Sequence, residues 1–118
     1  MDRDVFTEKM KTAGKPDMEA AKLLLKHSVD ANQPDGNPRG HRNLIIVMEE
    51  LAELGKEIAK ELRGKGDFTA VLEELADVQL GIWYVQEVMG ISDDQLQKAL
   101  HVKLERLSDV LHTQGRHL

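Results

Sequence analysis

Two groups of carboxylates have the spacing of a helix face. Glu49, Glu50 and Glu53 form the first group, and Glu74 and Asp77 form the second. Residues three apart are neighbours on a helix surface, so each group offers a pair of carboxylates on one side of a helix. If the two helices pack antiparallel, the pairs converge as oxygen ligands, which suit Mg²⁺, with Mn²⁺ as the alternative. The spacing therefore predicts a divalent-metal site between two helices.

The charges along the first of these helices divide into two sets when about 100° is taken per residue. Glu49 lies with Lys56 and Lys60, as on an ordinary solvated helix face. The other set is an acidic stripe that consists of Glu50, Glu53, Glu57 and Glu61. Like charges four residues apart repel by about 0.2–0.5 kcal/mol unless a cation neutralises them. The stripe is therefore a candidate for binding a metal or a basic partner.

The helices that must position these acids can be read from apolar periodicity and from capping residues. The pattern predicts a short N-terminal helix within 2–12 and four main helices at about 18–29, 43–62, 67–89 and 92–112. Asp67 and Ser92 are expected to cap helices, and Gly90 is expected to end one. The tail at 113–118 has no packing pattern and is expected to fray. The fold class predicted is all-α, a four-helix bundle with a short N-terminal helix.

The two acid-bearing helices also carry apolar stripes that we expect to form the core. These stripes are Leu44, Val47, Met48, Leu51, Leu54, Ile58 and Leu62 on the first, and Val71, Leu75, Val78, Ile82, Val85 and Met89 on the second. Ala70 and Gly81 border the second stripe and would let another backbone approach closely. Leu80 and Trp83 point the opposite way, which gives the helix a second apolar face that one chain is not expected to cover. This face predicts a homo-oligomer, a dimer or a tetramer.

The segment at 30–41 contains Pro and Gly and is predicted to be a long loop. Loops of this length are more often functional than incidental, and we give a functional loop and a plain connector equal weight. Arg39, His41 and Arg42 bring positive charge close to the start of the acidic helix.

Composition excludes several other classes of protein. The chain has 118 residues, consistent with one domain, and it has no cysteine, which excludes disulfides and thiolate chemistry. The formal net charge of −5 argues against nucleic-acid binding through phosphate contacts. No segment has the build of a signal peptide or the length of a membrane span, so no membrane association and a cytoplasmic location are expected. Small-molecule phosphates stay compatible with an acidic site that holds a metal.

The two acidic motifs resemble those of the all-α nucleotide pyrophosphatases, the MazG-like proteins, whose pattern is EExxE, a spacer, then ExxD. The chain reads EELAE at 49–53, twenty intervening residues at 54–73, and ELAD at 74–77. The resemblance covers about residues 39–107, within a single helical domain at 1–118. Many members of the family carry Asn shortly before a Lys that corresponds to Lys103, whereas this chain has His101.

The resemblance implies that the chain hydrolyses a nucleoside triphosphate to the monophosphate and pyrophosphate, as in nucleotide-pool house-cleaning. The catalytic metal ligands that it implies are Glu50, Glu53, Glu74 and Asp77, with Glu49 and Glu57 as candidate auxiliary acids. Water would attack the α-phosphorus with help from the metal, and ligand carboxylates would orient or deprotonate that water. The substrate-binding residues would be Lys103, Arg106, His41, Asn43 and Trp83, although Trp83 also suits a core or interface position.

Two other functions stay open at this point. A phosphoribosyl-ATP pyrophosphatase is possible within the same fold, because that group shares the EExxE and ExxD pattern. A non-enzymatic helical adaptor belongs to a different class, in which the Leu80 and Trp83 face binds a partner and the acids are solvated. Turnover of a nucleotide with Mg²⁺ would separate the enzymes from the adaptor.

Overall fold

The structure, a computed structural model, describes residues 2–31 and 41–114, and every regular element in those residues is an α-helix. The helices are α1 (Arg3–Met10), α2 (Met18–Ala31), α3 (His41–Leu62), α4 (Phe68–Met89) and α5 (Asp93–Gln114). The all-α prediction is confirmed. α2 extends into the start of the predicted loop and α3 begins at its last residue, and residues 32–40 of that loop lie outside the described residues. Residues 115–118 of the predicted tail also lie outside them. Among the described helices, none is both long and apolar enough to cross a bilayer.

Local capping explains where α4 begins and ends and where α5 begins, as the sequence predicts. The Asp67 side chain accepts a hydrogen bond from the Thr69 backbone N–H at 2.9 Å, which starts α4. Gly90 ends α4 in the left-handed region, with φ of 67°. Ser92 and Gln95 then form a reciprocal capping box: the Gln95 N–H donates to Ser92 Oγ at 3.1 Å, and the Ser92 N–H donates to Gln95 Oε1 at 2.9 Å.

α4 is the central helix, because α1, α2 and α3 all pack against it. α3 and α4 form an antiparallel hairpin whose turn contains Gly64 with φ of 72°. The Lys65 N–H donates to the Lys60 carbonyl oxygen at 2.9 Å and closes the end of α3. Arg3 Nε donates to Glu73 Oε2 at 3.0 Å, which ties α1 to α4.

The seam between α3 and α4 includes only part of the predicted apolar stripes, which corrects the prediction. Val78 is buried and Val47 is half-buried, and a Cβ placed on Gly81 would lie 3.0 Å from Cγ1 of Val47. Gly81 therefore allows the two backbones to approach each other beside Val47. Most of the large apolar side chains are left exposed on the side away from α2, taking 100° per residue. We call this set the outer face; it consists of Met48, Leu51, Ile58, Leu62, Leu75, Ile82 and Met89.

α5 projects from the rest of the chain beyond its first two turns, which border a cavity of about 380 Å³ together with α4. No Cα atom of α5 comes within 8 Å of another described helix. Its first residue, Asp93, is held by an ion pair with Lys22 of α2 and by a 3.1 Å hydrogen bond from Gln86 Nε2 of α4. The radius of gyration is 17.3 Å, whereas a compact domain of this length has about 13.5 Å. The described residues of one chain therefore do not close the predicted four-helix bundle.

Candidate metal centre

Three of the predicted acidic residues come together where α3 and α4 face each other. Glu50 of α3 and Glu74 and Asp77 of α4 each offer a carboxylate oxygen, and these oxygens all lie within 4.8 Å of one another. All three residues are partly buried. We call these residues the acid cluster. Carboxylate oxygens at this spacing suit a hard divalent cation, which binds through a few carboxylates and keeps positions for water or phosphate.

The helix hairpin positions the acid cluster through the close approach of its backbones. Glu74 and Asp77 are three residues apart and so share one face of α4. Gly81 lies one turn beyond Asp77, and Val47 lies about one turn before Glu50, so their contact is adjacent to the cluster. A larger residue at position 81 would separate the helices there. The missing Cβ of Gly81 therefore helps to bring Glu50 within reach of the α4 carboxylates.

The electrostatics of the cluster favour a bound cation. Burial, a hydrogen bond with Glu74 and the charge of Asp77 raise the pKa of Glu50 from 4.5 to about 7. The ion pairs found among the described residues involve other acids, and none of them reaches the three members of the cluster. A divalent cation would remove this repulsion by supplying the missing positive charge.

Glu74 provides a direct test of whether the residues fit a metal ion. Its Oε2 atom is buried and has no hydrogen-bond partner among the described residues. An unsatisfied buried polar atom costs about 1–3 kcal/mol, and more when it is charged. Coordination of a cation would satisfy this atom, and the three carboxylates are the oxygen donors that Mg²⁺ and Mn²⁺ prefer. The residues present therefore fit the predicted ion.

The other predicted acids lie outside the acid cluster. Glu53 is exposed and is not among the acids that come together, although its spacing from Glu50 equals that of Asp77 from Glu74. Glu49 is exposed as well, whereas Glu57 is buried and accepts a hydrogen bond from Lys60 Nζ at 3.2 Å. Lys60 thus neutralises part of the acidic stripe, although the sequence places it with Glu49. The ligand role of Glu53 stays a prediction.

The predicted substrate-binding residues are not gathered at the acid cluster in one chain. Asn43 lines a cavity beside the cluster, whereas Trp83 lines a separate cavity near the start of α5. Lys103 and Arg106 lie on the projecting part of α5, with Lys103 exposed and Arg106 also exposed. His41 begins α3, and its side chain lies outside the described residues.

The cavity beside the acid cluster has a volume of about 240 Å³. Its lining residues are Leu25, Asn43, Ile46, Val47, Glu50, Asp77, Leu80, Gly81 and Tyr84. The sequence analysis does not single out Tyr84, yet a signal for it was present. Tyr84 follows Asp77 by seven residues, which is two turns along the same face of α4. Spacing alone could therefore have placed it beside the acids.

No protein-family model matches the chain, and no curated protein or solved structure matches it either. What the chain does is therefore inferred from the motif spacing, the acid cluster and the cavity beside it.

Proposed function

We propose that the chain is a Mg²⁺-dependent, MazG-like nucleoside triphosphate pyrophosphohydrolase that converts a (d)NTP and water to the (d)NMP and pyrophosphate. The observation that carries this proposal is the acid cluster. Its carboxylates come from EELAE at 49–53 and from ELAD at 74–77, the two motifs on which the family resemblance rests, and their oxygens lie within 4.8 Å. A helical surface places many acids near each other, but this cluster joins two helices, is partly buried and has an oxygen with no partner in the described part of the chain.

In this proposal Glu50, Glu74 and Asp77 would hold the ion, with Glu53 as a predicted further ligand. When bound, Mg²⁺ would supply positive charge at the phosphates and make water a better nucleophile. The carboxylates of the acid cluster orient the attacking water and accept its proton. A bond forms between the water oxygen and the α-phosphorus as the bond from the α-phosphorus to its bridging oxygen breaks, and pyrophosphate leaves.

The proposed enzyme is a homodimer or homotetramer that works on the nucleotide pool. The exposed outer face, the projecting α5 and the large radius of gyration support a second copy. Lys103 and Arg106 lie on α5, no Cα atom of which comes within 8 Å of the described helices that carry the acid cluster. We infer that α5 of a neighbouring copy supplies these cations to the phosphates.

A helical interaction protein is the second candidate, and the outer face is the observation that favours it. Leu62 is 84% exposed and Met48 is 68% exposed, and exposed aliphatic groups of this size often mark a surface that binds another protein. In that case the acid cluster would have no role in catalysis, and Mg²⁺ would not bind at millimolar concentrations.

Turnover of nucleotides by the full chain tests the proposal. Standard and damaged (d)NTPs, together with phosphoribosyl-ATP, are incubated with the protein and Mg²⁺, and pyrophosphate and monophosphate are measured. We expect stoichiometric release of the two products, and a loss of at least about 100-fold in Asp77→Asn. Glu19→Gln, an exposed acid on α2, is the matched control and should retain full activity. Absence of turnover for every nucleotide, together with no Mg²⁺ binding by calorimetry, would leave only the interaction protein.

A further inference from the structure

Tyr84 is a buried side chain whose polar atom has no partner. The residue is 5% exposed, and its hydroxyl has no hydrogen-bond partner among the described residues. Buried polar groups in proteins are nearly always paired, and an unpaired one costs about 1–3 kcal/mol. A phenylalanine would fill the same space without this cost. No described residue pairs with this hydroxyl, so it is free to hydrogen-bond a ligand that comes into contact with it.

The position of Tyr84 shows where such a group would lie. Tyr84 lines the cavity of about 240 Å³ whose border includes Glu50 and Asp77 of the acid cluster. Pockets for drug-sized ligands measure about 300–1,000 Å³, so this cavity takes one ring system but not a whole nucleotide. A ligand whose phosphates lie at the acid cluster could place only its ring in this cavity.

The chemistry of the lining is that of a site for a flat, uncharged ring. The apolar walls come from Leu25, Ile46, Val47 and Leu80. The polar groups beyond the acids are Tyr84 and Asn43. Asn43 Nδ2 donates to Ser28 Oγ at 3.2 Å, which orients the amide and leaves its Oδ1 as an acceptor for a ligand. Apolar walls with one hydroxyl and one amide oxygen match a nucleobase, which has apolar faces and a hydrogen-bonding edge.

We propose that this cavity binds the nucleobase of the substrate and that Tyr84 is a specificity-determining residue, whose hydroxyl bonds the edge of the base. Asn43 Oδ1 accepts a second hydrogen bond from the same edge. The inference rests on the proposed function, because the acid cluster places the phosphates at the mouth of the cavity. It goes beyond that function by assigning base recognition to α2, α3 and α4 of one chain, away from Trp83.

Binding of nucleosides without metal tests the base site separately from hydrolysis. Adenosine, guanosine, cytidine, uridine and their deoxy forms are titrated into the full chain in the presence of a chelator, and binding is followed by NMR. We expect at least one nucleoside to bind the wild type, and Tyr84→Phe to weaken that binding about threefold to tenfold, the equivalent of one hydrogen bond. The same variant should raise the KM for the matching nucleotide, leave kcat unchanged and keep or raise Tm.

A second variant removes the space rather than the hydroxyl. Leu80→Trp places a larger side chain in the cavity at a position that is half exposed and so tolerates the change. It should abolish nucleoside binding while calorimetry shows unchanged Mg²⁺ binding. Leu23→Trp, at an exposed position of α2, is the matched control and should bind nucleosides like the wild type.

Three results would distinguish a failure of this inference from a failure of the proposed function. If Tyr84→Phe lowers Tm and leaves nucleoside affinity unchanged, the hydroxyl has a structural role and the inference is overturned. If nucleotides are hydrolysed but no nucleoside binds, and Leu80→Trp keeps the wild-type KM, the base is recognised elsewhere and the inference is again overturned. If nucleosides bind as expected but no nucleotide is hydrolysed, the hydrolase proposal fails and the base site stands.

Discussion

The two sides of the α3 and α4 hairpin have opposite chemistry. The side covered by α2 contains the acid cluster, the cavity and two buried oxygens that no described residue hydrogen-bonds. The outer face, on the other side, has large aliphatic side chains open to water. A self-sufficient domain does the reverse, because apolar groups gain from burial and unpaired polar groups lose by it. This difference is the basis of our proposal that one side of the hairpin binds a ligand and the other binds a protein.

Small residues on α4 produce this contrast. Gly81 is buried against Val47 of α3, and Ala70, on the same face of α4, is 1% exposed. Because the backbones approach each other at Gly81, the seam lies close to the acidic edge of α4. Part of each aliphatic stripe, including Val47 and Val78, lies inward, and the rest forms the outer face. The close approach of α3 and α4 that assembles the acid cluster thus also exposes the outer face. Substitutions on the two sides of the hairpin should therefore change different properties of the protein.

The outer face is where we expect the largest effect on assembly. Ile58→Asp places a charge in the contact that we propose between copies at the outer face, and burial of one such side chain is worth about 1.5–3 kcal/mol before the cost of the charge is added. The oligomer should dissociate to monomers, and Tm should fall by more than 10 °C at micromolar protein. Sedimentation velocity and thermal melts are the measurements.

The control for this prediction is Leu23→Asp, a similar change at an exposed position of α2. It should leave the oligomer intact. A wild-type chain that is monomeric at 100 µM, roughly the upper range of such measurements, with a Tm that does not depend on concentration, would contradict assembly through the outer face.

A substitution on the side covered by α2 should change how Tm responds to Mg²⁺, not how it responds to protein concentration. Mg²⁺ at about 100 times its Kd should stabilise the wild type by about 2.7 kcal/mol, seen as a rise of several degrees in Tm. Asp77→Asn removes a ligand charge with almost no change in shape, so the rise should disappear. Without metal this variant should be as stable as the wild type or more so, because repulsion with Glu50 is relieved.

Asp94→Asn is the matched control, since Asp94 is exposed and pairs with Lys98 at 3.1 Å on α5. It should keep the full response to Mg²⁺. An Asp77→Asn protein that melts well below the wild type in chelator would indicate that the acids stabilise the fold, which the proposal does not allow.

Features that depend on neighbouring residues could be predicted from the sequence. Asp67, Gly90 and Ser92 begin or end helices through hydrogen bonds to residues at most a few positions away, so their types are sufficient. The pairing of the two acidic motifs could also be predicted from the sequence. Residues three apart share a helix face, and a short turn makes consecutive helices antiparallel.

Features that depend on which helix faces meet could not be predicted in this way. The sequence favours the aliphatic stripes as the seam, since burial of large side chains is the stronger general effect. The close approach expected at Gly81 is present, but seven residues of the two stripes are left exposed on the outer face. The exposure of Glu53 and the position of α5 could not be predicted for the same reason, because both depend on contacts between distant segments.

The covered side should also give the metal-free protein a particular pH dependence. The pKa of Glu50 is raised from 4.5 to about 7 in the folded chain, so the folded state holds a proton that the unfolded state has lost. This contribution to stability is complete below about pH 4.5 and is lost as pH rises through about 7. After allowance for solvent screening it amounts to about 1 kcal/mol.

The difference in stability between the wild type and Glu50→Gln isolates this effect from other titrations. Melts in chelator from pH 5 to 8, roughly the range where one carboxyl titrates, should show the wild type losing its advantage as pH rises. Saturating Mg²⁺ should abolish or reverse the trend, because the cation binds the charged form. A difference that does not change with pH would show that Glu50 is ionised in the folded protein throughout.

Gly81→Ala should have the smallest effect on stability and is the sharpest test of how the two sides are linked. Alanine favours the helix by about 1 kcal/mol over glycine, but its Cβ would lie 3.0 Å from Cγ1 of Val47, whose branched side chain is stiff. The two effects nearly cancel in Tm. They do not cancel in geometry, since the helices must separate one turn from the acid cluster, and Mg²⁺ affinity measured by calorimetry should fall several-fold.

Adding Val47→Ala makes room for the new Cβ and should restore Mg²⁺ affinity. If the two substitutions acted independently, the second would not reverse the effect of the first. Unchanged affinity in Gly81→Ala alone would mean that the acid cluster does not depend on this contact.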